Sequence, residues 1–254
     1  MKTSILILGG ITEAYTLAET LAARADLRVV NSLAGRTSNP RLPVGETRIG
    51  GFGGVAGLTA YLREQSIHAV IDATHPFASR MGWNAFAGCC ATAVPLLRLE
   101  RPGWTAVPGD CWEPVSDWEQ AVATLRAGGS RRVLLAVGRQ ELAPFVGLDD
   151  IWFLIRAVTP PDPMPPLSAF HLLLSRGPFD LESERALLAD QMIDTIVCKN
   201  SGGEATTAKL VAARERGIRV IMHERPQRPA LPAAATVEDA VRWLDEALVR
   251  ARAG

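Results

Sequence analysis

Ala69-Val-Ile-Asp-Ala-Thr-His-Pro-Phe-Ala78 opens as an apolar run and closes on an acid, a hydroxyl, an imidazole and a proline. The run reads as a buried strand. Pro76, whose missing N–H costs nothing at the first position of a helix, predicts that a helix follows, with His75 as its cap and Thr74 beside it. A strand passing directly into a helix is half of a βα unit. In open α/β sheets the carboxyl ends of such strands are where ligands bind, because neighbouring loops diverge there. The competing reading is local, with Asp72 and Thr74 only satisfying loop amides.

Working outward, short runs rich in Val, Ile and Leu alternate with amphipathic stretches, the pattern of βα units on a parallel sheet. The first half predicts strands at Ser4–Leu8, Arg28–Asn31, Thr47–Ile49, Ala69–Ile71 and Pro95–Leu99, and helices at Glu13–Ala25, Val55–Gln65 and Pro76–Ala91. Glu100-Arg-Pro-Gly-Trp104 breaks the pattern and reads as a linker. Beyond it, strands are expected at Val133–Val137, Ile151–Ile155, Leu172–Ser175, Thr195–Cys198 and Arg219–Met222. Helices are expected at Asp117–Ala127, Leu181–Gln191, Thr206–Arg216 and Thr236–Arg252. Pro160–Pro166 is too proline-rich for either and reads as an extended connector. The expected fold class is α/β, with two lobes, 1–100 and 101–254, each a mostly parallel sheet flanked by helices.

Composition narrows the function. The 254 residues carry 27 basic and 27 acidic side chains, so there is no global basic field for nucleic acid or a membrane surface. Cys89, Cys90, Cys111 and Cys198 form no CxxC pair and have no histidine at ligand spacing, so no metal site and no disulfide framework is expected. The apolar stretch Ile5–Leu8 stops at Gly9-Gly10, too short for a membrane span or a secretory core. The protein is expected to be soluble, cytoplasmic and monomeric.

Several strand ends carry groups suited to anions. Gly9-Gly10-Ile11-Thr12 opens the first predicted helix, where backbone amides and the helix dipole favour a phosphate. The GxGxxG fingerprint is absent, so position is this turn's main support. The second strand ends without the acid that would bind an NAD ribose, and Ser32, Arg36 and Thr37 follow instead, which suits the 2′-phosphate of NADP. In the second half, Gly138-Arg139, Arg176-Gly-Pro-Phe179 and Lys199-Asn200-Ser201-Gly202-Gly203 each place one cation at a strand end, the last also forming a possible anion nest. His68 and His223 adjoin apolar strands and read as structural. His75 is the imidazole that reads as a site residue.

The motifs together resemble the precorrin-6A reductase family of corrin (vitamin B12) biosynthesis. They are the Gly9-Gly10 turn with Thr12-Glu13-Ala14, Asp72–Ala78, Leu97–Trp104, Val137-Gly-Arg139, Ser175–Phe179 and Val197–Gly203. The chain departs from the family at Ile11, where a threonine is usual.

The resemblance implies two Rossmann-like lobes with an active-site cleft between them, NADPH as cofactor, and reduction of one double bond of the precorrin-6A macrocycle to give precorrin-6B. Cofactor contacts are then expected from Gly9, Gly10, Ile11, Thr12, Ser32, Arg36, Thr37, Asp72 and Thr74. Substrate carboxylates are expected at Arg139, Arg176, Lys199, Asn200, Ser201 and Gly202. A proton donor is also required, with His75, Lys199, Ser201 and water as the candidates. A cobalt-bound substrate, a non-catalytic tetrapyrrole- or nucleotide-binding protein, and a nucleotide-sugar transferase are the alternatives.

Overall fold

The computed structural model describes residues 2–35 and 41–253. The first elements are β1 (Thr3–Leu8), α1 (Thr12–Ala22), β2 (Leu27–Leu33), β3 (Glu46–Ile49), α2 (Gly54–Glu64), β4 (Ile67–Asp72), α3 (Ser79–Thr92) and β5 (Leu96–Leu99). There follow β6 (Cys111–Val115), α4 (Trp118–Ala127), β7 (Arg132–Ala136), β8 (Trp152–Ala157), β9 (Phe170–Leu174), α5 (Leu181–Asp190), β10 (Thr195–Lys199), α6 (Ala208–Glu215) and β11 (Arg219–His223). The chain closes with β12 (Ala233–Ala234) and α7 (Val237–Ala253).

The strands form two six-stranded sheets, ordered β12-β5-β4-β1-β2-β3 and β6-β11-β10-β7-β8-β9. Every strand pairing in them is parallel. Side chains alternate across a strand, so β1 feeds two cores. Ile5 and Ile7 pack with Leu17 and Leu21 of α1, while Leu6 and Leu8 pack with Leu58 and Leu62 of α2 and Ala85 of α3. The second sheet is built alike. Val133 and Leu135 join Ala121 and Leu125 of α4, and Leu134 joins Leu188 of α5 and Leu210 of α6. Parallel strands buried on both faces must read as near-continuous apolar runs, which is why the central ones were visible in the sequence.

The expected boundaries need one correction. Contacts group Met1–Pro102 with Pro226–Gly254, and Gly103–Arg225 separately, so the last helix belongs to the first unit and not to a lobe running 101–254. The cause is β12, which adds to β5 with Ala233 opposite Arg98 and Ala234 opposite Leu99. That pairing delivers α7, whose Ala240, Leu244 and Leu248 enter the core around β1 and α1.

Two local expectations also change. Pro76 does not begin a helix: it lies in a turn closed by the Ala78 N–H donating to the His75 carbonyl at 2.7 Å, and α3 starts at Ser79. The helix expected at Thr206–Arg216 is divided into a 3-10 turn, Glu204–Thr206, and α6. Among the described residues no helix is long and apolar enough to cross a membrane.

Leu244→Ala is expected to cost about 2–5 kcal/mol, since the side chain is fully buried. Hydrogen exchange should show lost protection in β1 and β4 with β7 and β10 unaffected. Equal loss in both sheets would contradict the assignment of α7 to the first unit.

Candidate functional site

In the first sheet β1 lies between β2 and β4, and the chain leaves it in opposite directions on the two sides. Such a reversal opens a crevice at the carboxyl ends of the strands. The turns after β1 and β4 meet there. A Cβ on Gly10 would lie 3.2 Å from the His75 nitrogen and 3.4 Å from Thr74 Cα, so glycine is what lets the two turns approach. Gly9 donates its N–H to the Ser32 carbonyl at 2.9 Å, tying in the end of β2.

The start of α1 has no side-chain cap. Ile11 at the cap position is 5 % exposed and sits in the core, so its side chain cannot serve a ligand and only its backbone faces the turn. Thr12 is exposed at the first helical position, and the acid in that turn, Glu13, pairs with Arg101 at 3.1 Å. Uncapped amides at a helix start, with the nearby carboxylate already paired, favour an anion.

At the end of β2, Ser32 is buried and its hydroxyl accepts from Arg48 at 2.8 Å. Arg48 also donates to the carbonyls of Gly50 and Gly51, and its guanidinium lies 3.7 Å from the Phe52 ring centroid. Burial lowers its pKa from the ordinary arginine value, yet it remains cationic at neutral pH. Sequence reasoning missed this residue because an arginine within a short edge strand gives no motif. The expected contacts Arg36 and Thr37 lie outside the described residues.

Asp72, expected to touch the cofactor, is fully buried. One carboxylate oxygen accepts from the Thr74 N–H at 3.1 Å and the Thr74 hydroxyl at 2.6 Å, and the other accepts from Arg228 at 2.5 Å. Arg228 also donates to the Thr74 hydroxyl at 3.2 Å and approaches Glu100 at 3.5 Å. Asp72 and Thr74 therefore shape the turn from within, while the His75 ring is half-buried. Its Nδ1 accepts from the Phe77 N–H at 3.2 Å, which places the ring proton on Nε2.

The second sheet reverses between β7 and β10. Gly138 adopts φ of 93° as the chain leaves β7, and half-buried Arg139 donates to the Pro160 carbonyl at 3.2 Å. Lys199, at the end of β10, pairs with Glu141 at 3.1 Å. Burial alone would raise the Glu141 pKa, but Lys199 and the Trp118 indole N–H outweigh it and hold the carboxyl below its usual value. Glu141 was not anticipated from the sequence.

Asn200, expected to bind substrate, is taken up by the backbone of Trp104. Its carbonyl oxygen accepts from the Trp104 N–H at 2.7 Å and its amide donates to the Trp104 carbonyl at 3.0 Å. Ser201 and Gly202 follow in the turn, Gly202 with φ of 67°. Arg176 is exposed at the end of β9. A pocket of about 230 Å³ opens at this edge, lined among others by Gly138, Arg156, Ser175, Lys199, Ser201 and Lys209. No group of side chains among the described residues could hold a metal ion.

Two parallel sheets flanked by helices, each reversing strand order beside a glycine turn, define a Rossmann-like α/β protein. Residues 4–245 match the family described as precorrin-6x reductase CbiJ/CobK. A precorrin-6A reductase of Rhodococcus erythropolis is 48 % identical, over 95 % of this chain and 97 % of the relative. One of Rhodobacter capsulatus is 46 % identical, over 95 % and 96 %. The solved structure of a CobK precorrin-6A reductase superposes with a TM-score of 0.91 at 45 % identity, covering 96 % of this chain and 97 % of that one. The chain belongs to the precorrin-6x reductase family and is an oxidoreductase.

Arg228→Met should destabilise the protein by about 3–5 kcal/mol in urea unfolding, because it strands a buried carboxylate. Adding Asp72→Asn should restore more than about 1 kcal/mol of that loss. Additive losses would show that the pair is not coupled.

Proposed function

We propose that this protein reduces one double bond of precorrin-6A, with NADPH as the hydride donor, to give precorrin-6B in cobalamin biosynthesis. Family membership over nearly the whole chain carries the reading, and the geometry of the two strand edges supports it. The uncapped start of α1, the close-approach glycines and the Ser32–Arg48 pair suit a dinucleotide with an extra phosphate. In this reading the α1 amides and Gly9–Thr12 hold the pyrophosphate, and Ser32, Arg48, Arg36 and Thr37 receive the 2′-phosphate.

NADPH, when bound, supplies the hydride that the ring system accepts. The chain's own part is to orient, to exclude water and to deliver a proton to the neighbouring atom. His75 offers an N–H at Nε2, and Lys199 offers an ammonium group held in place by Glu141. Ser201 is the third candidate donor. Lys199 and Arg139 also give the second edge N–H donors that a macrocycle fringed with carboxylates could use.

Anaerobic oxidation of NADPH, followed at its nicotinamide absorbance, should depend on metal-free precorrin-6A and yield precorrin-6B. No oxidation with either metal-free or cobalt-bound precorrin-6A would overturn the reading. It would leave a non-catalytic ligand-binding protein or a transferase, while oxidation with the cobalt form alone would move the enzyme to the other substrate. Arg48→Gln and Arg36→Glu should each weaken NADPH more than NADH, by roughly tenfold in the ratio. Equal loss of both cofactors in both variants would remove the 2′-phosphate from this edge.

A further inference from the structure

Lys209 lies in the first turn of α6 and is 5 % exposed. Its ammonium donates to the Thr206 carbonyl at 2.7 Å and rests 4.5 Å from the Trp104 ring centroid. A lysine has three donors, so at least one N–H is left over. Unlike Lys199, it has no carboxylate partner among the described residues. A buried charge without a counter-charge is costly, and burial accordingly lowers the Lys209 pKa.

Two more buried donors line the same 230 Å³ pocket without acceptors. The Ser175 hydroxyl, at the end of β9, has no hydrogen-bond partner among the described residues. Arg156 gives its two terminal nitrogens to Glu184 at 3.0 and 2.8 Å, while its Nε has no partner among the described residues. Buried donors are nearly always satisfied in folded proteins, so three of them around one opening describe a site lacking its acceptor. Charge agrees: Glu184 pairs with Arg156 and Glu141 with Lys199, which leaves Lys209 as the pocket-lining cation with no ion pair among the described residues. The volume falls short of the roughly 300–1,000 Å³ that encloses a whole drug-sized ligand, and so suits a side arm or a single anionic group.

We propose that this pocket binds one oxyanion of the reactants, a carboxylate on a side arm of the substrate, on Lys209, Ser175 and Arg156. The identity of those reactants rests on the function proposed above, while the pocket's preference for an oxyanion does not. The site lies wholly within the second unit. Neither Lys209 nor Ser175 was among the contacts expected from the sequence, because a lysine early in a helix normally reads as solvated.

The test uses the full chain and two variants, Lys209→Met and Ser175→Ala. The first replaces the cation with a flexible apolar side chain of similar length. The second removes only a hydroxyl, and keeps the question answerable if the first fails to fold. A carboxylate arm predicts that KM for precorrin-6A rises roughly tenfold or more in Lys209→Met, with kcat largely kept and NADPH affinity unchanged. Weaker NADPH with KM for precorrin-6A unchanged would overturn the proposal. Folded variants with both affinities at the wild-type value overturn the proposal. A separate measurement is independent of activity: inorganic phosphate should raise the wild-type Tm, and Lys209→Met should lose that rise. Loss of the phosphate effect with an inactive wild type would sustain the pocket while the function reading fails. A phosphate effect equal in wild type and variant would overturn the pocket whatever the activity.

Discussion

The first unit's strand edge depends on Arg228 standing against Asp72, two charges removed from water almost completely. Desolvating such a pair costs several kcal/mol per ion and is offset only when geometry is good and the remaining lone pairs are occupied. Here this is met in part: Thr74 fills the other carboxylate oxygen and Glu100 approaches the guanidinium at 3.5 Å, while the Arg228 Nε and Nη1 have no hydrogen-bond partner among the described residues. The need for room explains Gly82, where a Cβ would lie 2.7 Å from the guanidinium. Arg228 arrives on the segment that returns from the second unit, just ahead of β12. The turn after β4 therefore takes its shape from a residue 156 positions along the chain, and docking of that segment and the form of the site edge are one structural problem.

That coupling marks the limit of reading this chain from its sequence. The central strands and most helices were legible because burial on both faces of a parallel sheet demands apolar runs and helices demand a stripe. The edge strand β6 was missed since four of its five residues are not buried and Pro114 argues against a strand. β12 has two residues and no periodicity to detect, yet it decides which unit receives α7. Pro76 suggested a helix start, but the His75 ring and the Phe77 N–H close a local turn first, and α3 begins later.

The site divided along the same line. Backbone features were legible: glycine turns at strand ends, and the strand order that brings them together. Side-chain duties were not, because each depends on a distant partner. Asp72 and Asn200 carry the polar groups a ligand would want, but both have them committed, to Arg228 and to the Trp104 backbone. Arg48 and Glu141 gave no motif and became visible only beside Ser32 and Lys199.

Positive charge at the second edge shows why counting cations in a sequence overstates what a ligand meets. Lys199 and Arg156 are both matched by carboxylates, so their net field is small, and their value to an anion lies in donors held at fixed positions. A bidentate pair such as Arg156–Glu184 resists rearrangement, and its cost of formation has already been met in folding. Lys209 is the reverse case, a charge the fold tolerates against Trp104 without neutralising. A ligand oxyanion arriving there would relieve a penalty present in the free protein, since Lys209 has no carboxylate partner among the described residues. Such a site is hard to find from sequence, because the decisive fact about Lys209 is that no carboxylate among the described residues pairs with it.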